Sequence, residues 1–372
     1  MMPGGHIDKR QLAVLITLDI TGSYFLVAPR VMAKYAGPAG WIGILVGSLS
    51  GVGLGALLIA LHRHFPTRDF IGMSELILGR HLGKLWSLVF FGYAMSVFLI
   101  IREFSTTILT PFLPESPIGP VIAIMTVIIA YLAYSGIESI ARTAQVFLPF
   151  IAISLLLILA TALAGGDLGR IQPWLGKGLA GIGLAGLNAG AVFGELVLFL
   201  AIFSHLRRTK DDVSGFGWGL ILGTIPLTLV TISGISLYGH QGVTRLTFPA
   251  ISIAQLIRLG RYFERMEAVF IIIWFILSML KIGLIIYTAT VTLAGILELK
   301  RYQPLVLPTA VLAVLLSLQP KTDYSVLQMI DFFTNYTLPV TLLLPGLLLV
   351  VASIRKVREP GPTSQKQQEA AK

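Results

Sequence analysis

Apolar residues in this chain come in runs near 20 residues long, the length a helix needs to cross a bilayer. Ten such runs occur, at 11–34, 39–61, 85–110, 118–136, 143–164, 184–205, 215–238, 267–294, 304–319 and 328–353. They predict an all-α polytopic membrane protein of about ten transmembrane helices. Residues 1–354 then form a single transmembrane domain, and the polar, Pro- and Gln-containing stretch 355–372 is predicted to be a disordered cytoplasmic tail.

Two runs are flawed in the same way. The sixth reads LAGLNAGAVFGELVLFLAIFSH, with Gly186, Asn188, Gly190 and Gly194 in its first half and Glu195 at its middle. The first is apolar except for Asp19, Thr21, Gly22 and Ser23 at its centre. Loosened backbone at membrane depth has to be buried in protein or line a cavity. A carboxylate there costs about 2.5–3.5 kcal/mol on insertion scales, which marks a functional site. The alternative is that the glycines are packing contacts and Glu195 is a paired structural charge. Two interrupted helices in matching positions of two halves are the sequence mark of a secondary-transporter binding site.

A weak internal repeat supports that match. The second run carries Gly43, Gly47, Gly51 and Gly55, and the seventh carries Gly215, Gly219 and Gly223, each set spaced by four. Faces of this kind let helices approach closely. The expected arrangement is a five-plus-five inverted repeat, with repeat one at about 9–166 and repeat two at about 180–354. Two stretches between spans, 67–83 and 248–261, are amphipathic and are expected to lie on the membrane surfaces.

Composition agrees with the pattern. Hydrophobic residues make up 55% and charged residues 12%, with mean hydropathy +0.84, which excludes a soluble globular domain. The net charge of +10 invites a nucleic-acid reading, but the basic residues are spread among short loops and no nucleic-acid partner is expected. Seventeen Lys and Arg fall on the side of the two termini and nine on the other, which predicts cytoplasmic ends. The absence of cysteine removes disulfides, thiolate metal sites and a cysteine nucleophile. No P-loop, GxSxG or HExxH motif occurs, so an enzyme, a cofactor and a bound metal are not expected.

The chemistry must therefore come from a few intramembrane polar residues. Beside Asp19 and Glu195 these are Arg102 and Glu103 in the third run and Lys281 in the eighth. A lone ammonium at that depth needs a carboxylate, water or a lowered pKa. Lys281 can pair with Glu195 or Asp19, or serve as a built-in cation. Arg102 and Glu103 point in different directions on a helix and are expected at an outer vestibule or in an interhelical pair. Tyr93 and Val97 share one face of the third span, and Gly283 and Tyr287 one face of the eighth, where they can close over a small ligand. Freed N–H and C=O groups at the breaks, expected at Thr21–Ser23 and Asn188–Gly194, suit a zwitterionic amino acid.

Several short motifs then resemble one family. TFPAISIAQLIRLGRYFERMEA (247–268), IREF (101–104), the LP at 113–114, QPWLGKGL (172–179) and FGEL (193–196) are similar, in order and spacing, to the B-subunit permeases of spore germinant receptors. That resemblance, which runs over essentially the whole chain, implies the amino acid–polyamine–organocation superfamily and its LeuT-like fold. It further implies a nutrient-sensing subunit of the spore inner membrane, acting with A-type and C-type subunits to trigger germination on binding a small germinant, often an amino acid. Carried over, the binding region falls at Thr21, Gly22, Ser23, Ala191, Phe193 and Gly194, flanked by Tyr93, Val97, Gly283 and Tyr287. The chain departs from the superfamily in having only Gly22 where a more glycine-rich break is usual. The other function that needs the same site is an autonomous, proton-coupled amino acid transporter.

Overall fold

Asp8 starts the first helix by chemistry that the sequence spells out. Its carboxylate accepts the Gln11 N–H at 2.8 Å and the Gln11 side chain accepts the Asp8 N–H at 3.1 Å, a reciprocal cap on α1 (Lys9–Thr21). In the computed structural model, which describes residues 5–22, 24–112, 115, 117–206, 211–256, 266–320 and 323–359, α1 is buried from Leu12 to Thr21. It stops at Gly22. After a 3₁₀ turn at Tyr24–Leu26, the span resumes as α2 (Ala28–Ala36), with Pro29 in its first turn, where no N–H is needed.

The remaining elements follow the apolar runs. α3 (Gly40–His64) is the second span, and the short α4 (Phe70–Leu78) follows it. The third span is divided at Ser96 into α5 (Arg80–Met95) and α6 (Val97–Phe112). α7 (Ile118–Ser135) and α8 (Ile137–Gly165) form a tight hairpin through Gly136, whose φ of 87° suits glycine. The sixth span is α9 (Gly178–Gly194) continued by 3₁₀ segments at Glu195–Ala201 and Phe203–His205. Then come α10 (Asp211–Val243), the short α11 (Pro249–Ala254), α12 (Met266–Ile296), α13 (Gln303–Ser317) and α14 (Asp323–Ile354). Among the described residues eight helical stretches are long and apolar enough to cross a membrane. The 15-residue α13 and the divided first span bring the crossings to ten.

The two glycine faces do the same job in the two halves. On α3, a Cβ at Gly47 would sit 2.5 Å from Ala189 Cβ of α9, and one at Gly51 would sit 3.1 Å from the Phe193 ring. On α10, a Cβ at Gly219 would sit 2.6 Å from Ile16 Cβ of α1, and one at Gly223 would meet Ile20. Each glycine-faced helix thus lies directly against one interrupted span. Lipid offers no hydrophobic drive between helices, so this contact rests on close van der Waals packing. The opposite face of α3, with Leu45, Leu49 and Val52, is exposed, as a lipid-facing surface should be.

Two expectations are corrected. Asn188–Gly194 is not loosened: α9 stays helical to Gly194 and tightens to 3₁₀ only from Glu195. Its glycines serve packing instead, Gly190 against Ser50 and Leu338, and Gly194 against Thr341 and Thr337 of α14. The two amphipathic stretches do not simply rest on a surface. α11 buries Pro249, Ala250, Ile251, Ile253 and Ala254, and α4 buries Phe70, Met73 and Ile77; the part of the stretch 248–261 beyond residue 256 lies outside the described residues. Within the expected tail, Glu359 donates its N–H to His64 O and its carboxylate accepts from Thr67 and Arg68; residues 360–372 lie outside the described residues.

Candidate functional site

Ser278 and Lys281 lie three residues apart on α12, so one turn of that helix presents both to the same neighbour. That neighbour is the break in the first span. Ser278 Oγ donates to Gly22 O at 2.6 Å, and Lys281 Nζ donates to Asp19 O at 2.7 Å. These are carbonyls at the end of α1, where the helix no longer supplies partners. Lys281 Nζ also lies 2.7 Å from Glu195 Oε2, at the first residue of the tightened half of the sixth span. One fully buried ammonium therefore ties both interrupted spans to α12. Gly22 is required for the approach: a Cβ there would stand 2.9 Å from Lys281 Cδ.

Around this tie the charges are mostly acidic. Asp19, Glu195 and Glu103 all act electrostatically on Lys281, and Arg30 acts on Glu103. Asp19 is 1% exposed, and its Oδ2 has no hydrogen-bond partner among the described residues. Glu195 keeps 23% of its side-chain surface although it sits at mid-span. Tyr24, Tyr93 and Glu103 are likewise deep within the protein yet partly open. Partial exposure of polar groups at that depth describes a recess inside the bundle, not a lipid-facing surface. Tyr24 closes one side of it by donating to Asn188 Oδ1 at 2.8 Å, a second link between the first and sixth spans.

The expected site residues separate into groups. Asp19, Gly22, Glu195 and Lys281 are brought together, with Glu103 and Tyr93 in electrostatic range of them. Thr21 is buried beside them, but its hydroxyl donates back to Thr17 O at 2.7 Å. Val97 and Ala191 are buried, and Ser23 lies outside the described residues. Arg102 is partly exposed, and its Nε has no hydrogen-bond partner among the described residues. Three residues are turned elsewhere. Phe193 packs on Gly51 of α3, and Gly283 faces Leu132 of α7. Tyr287 meets His205 at 3.2 Å and Tyr302 edge-on at 5.3 Å. Two contributors went unread in the sequence. Ser278 had a signal, being one turn from Lys281. Tyr24 had none, because its partner is 164 residues away.

On the side of the N-terminus the bundle is fastened shut. Ile7 bridges to Leu206, and its N–H donates to His205 O at 3.0 Å. The His205 ring touches Gly5 O through Nδ1 and the Tyr287 hydroxyl through Nε2, both at 3.2 Å. A neutral imidazole protonated on Nδ1 satisfies both contacts. The first, sixth and eighth spans are thereby joined below the recess.

Comparison with known proteins agrees with this architecture. The chain is 27% identical over 369 residues to spore germination protein KB of Bacillus subtilis (strain 168), covering 96% of this chain and 97% of that one. It is 26% identical over 363 residues to spore germination protein YndE of the same organism, covering 95% and 98%. Among solved structures, Mhp1, a nucleobase-cation-symport-1 family transporter in a closed conformation with bromovinylhydantoin bound, superposes with TM-score 0.64 at 15% identity, covering 94% of this chain and 79% of that one. A Na⁺-coupled sialic acid symporter in a substrate-bound outward-open state gives TM-score 0.65 at 12% identity, covering 93% and 78%. At such identities the likeness is one of fold, the LeuT-like arrangement with interrupted first and sixth spans. The sequence profile described as spore germination protein matches residues 6–325, and the chain belongs to this spore permease family.

Proposed function

We propose that this protein is the nutrient-sensing membrane subunit of a spore germinant receptor. A small germinant, an amino acid by preference, enters the recess beside the interrupted spans. Its binding shifts an equilibrium between two arrangements of those spans, and A-type and C-type partner subunits read the shift. The chain then sits in the spore inner membrane with both termini on the core side, its repeats at about 9–166 and 180–354. Gly22 and Tyr93 contribute to the lining, and Asp19, Glu103, Glu195 and Lys281 to the coupling. The observation that carries the reading is the Lys281 tie, which joins α12 to the ends of both interrupted spans within 2.7 Å. A ligand that disturbs this tie moves three spans at once.

The test compares spores with and without this chain. Nutrient-triggered germination and binding of labelled amino acids should be lost together, while chemically triggered germination, which bypasses the receptor, persists. Equal failure of both triggers would count against a receptor.

A second reading is a proton-coupled amino acid transporter that works alone. Several ionisable groups at membrane depth favour it, since such groups mark proton relays in transporters. Purified chain in vesicles decides between the two: accumulation of labelled amino acid by this chain without partners would replace the receptor reading.

A further inference from the structure

Asp19 is the least explained group in the recess. It is a buried carboxylate at the end of α1, and its Oδ2 accepts no hydrogen bond from the described residues. Lys281 does not answer for it at contact distance. The ammonium donates to the backbone oxygen of Asp19, and its close ion-pair partner is Glu195, not the Asp19 carboxylate. Glu103 adds a third acidic group within range of the same lysine, and Arg30 acts on Glu103. Acidic groups thus outnumber the lysine that faces them. An ionised carboxylate left in that condition is strongly unfavourable until a proton or another cation reaches it.

The surroundings supply a second recognition element. Glu195 and the Tyr93 ring are partly open, and both Asp19 and Glu195 act electrostatically on Tyr93. A cation arriving beside Asp19 therefore meets an oxygen acceptor, with the Tyr93 side chain in electrostatic range of it. A metal ion is less well served. It requires several oxygen ligands, and two carbonyls at the end of α1, Asp19 O and Gly22 O, already accept from Lys281 and Ser278. An ammonium brings its own donors and needs only acceptors.

We infer that Asp19 anchors the ammonium group of the ligand, so the recess selects amine-bearing cations and zwitterions over sugars and over acids that lack the amine. This rests on the proposed ligand-binding function and specifies the group recognised.

The test uses full-length chain in nanodiscs, with ligand-induced thermal stabilisation and direct binding as readouts. The probes are the common L-amino acids, the 2-hydroxy acids bearing the same side chains, simple alkylamines, glucose, adenosine and sodium chloride against choline chloride. On the unaltered chain, some amine-bearing probe should bind while its hydroxy-acid counterpart, glucose and adenosine do not. Asp19→Asn should weaken that binding by about 10- to 100-fold, the worth of a charge-assisted hydrogen bond. A hydroxy acid, glucose or adenosine binding as well as the amine would overturn the assignment and leave the proposed function standing. So would stabilisation by sodium alone that disappears in Asp19→Asn, or an Asp19→Asn chain that binds amines as before, which makes the carboxyl a neutral packing group. Should no probe of any class bind, the assignment and the proposed function fail together. The probe series on the unaltered chain decides the matter even if Asp19→Asn does not fold.

Discussion

Lys281 Nζ and Glu195 Oε2 meet at 2.7 Å. The lysine is wholly buried, whereas the glutamate keeps 23% of its surface. The pair joins a continuous helix, α12, to the point where the sixth span changes from α-helix to 3₁₀ geometry. The lysine therefore belongs to the span that does not bend, and the carboxylate to one that does.

Lys281→Ala should insert normally but lose the nutrient response. Breaking a wholly buried pair costs about 3–5 kcal/mol, and the partial exposure of Glu195 brings the expected loss to about 2–3 kcal/mol. Thermal unfolding of the chain in detergent measures it. Removing Glu195 as well should return part of the stability, because no orphaned charge remains; a double mutant no more stable than Lys281→Ala would deny the coupling.

Gly22→Leu should abolish nutrient-triggered germination and spare the chemically triggered kind. Its Cβ would stand 2.8 Å from Leu18 O and 2.9 Å from Lys281 Cδ, so the lysine stem must leave its place. Dose–response curves on spores carrying the variant provide the check, with immunodetection to establish that the chain is present.

Tyr24→Phe keeps the ring and removes only the donor to Asn188. One neutral hydrogen bond contributes about 0.5–1.5 kcal/mol, so a modest loss of stability is expected, with a shift of the nutrient dose–response and no loss of its maximum. A flat zero response would mean that the hydroxyl has a larger role than linking two spans.

Gly219→Leu should be among the most damaging single changes. Even a Cβ at that position would press to 2.6 Å from Ile16 Cβ and 2.9 Å from Ala13 O, pushing α10 off α1. Overpacking costs about 1–3 kcal/mol or more. The yield of monodisperse protein after extraction, compared with that of Gly217→Leu, whose site is open, reports the effect.

Much of this was legible before any coordinates. Run length and hydropathy located the crossings, because a bilayer demands about 20 apolar residues whatever the fold. The polar interruptions at Asp19–Gly22 and Glu195, and the lone Lys281, stood out because charge at that depth is costly. The spacing of Gly43, Gly47, Gly51 and Gly55, matched by Gly215, Gly219 and Gly223, marked close-packing faces, since residues four apart share one side of a helix.

Tertiary structure alone chose among the alternatives left open. It paired Lys281 with Glu195 and with the carbonyl of Asp19, leaving the Asp19 carboxylate for something else. It turned Phe193, Gly283 and Tyr287 toward α3, α7 and His205, and it kept α9 helical through Gly186, Gly190 and Gly194 because neighbouring helices fill the space there. Local pattern records which residues share a face of one helix. Which neighbour that face meets depends on the rotation and depth of every helix in the bundle, and those are set by packing between residues far apart in the chain.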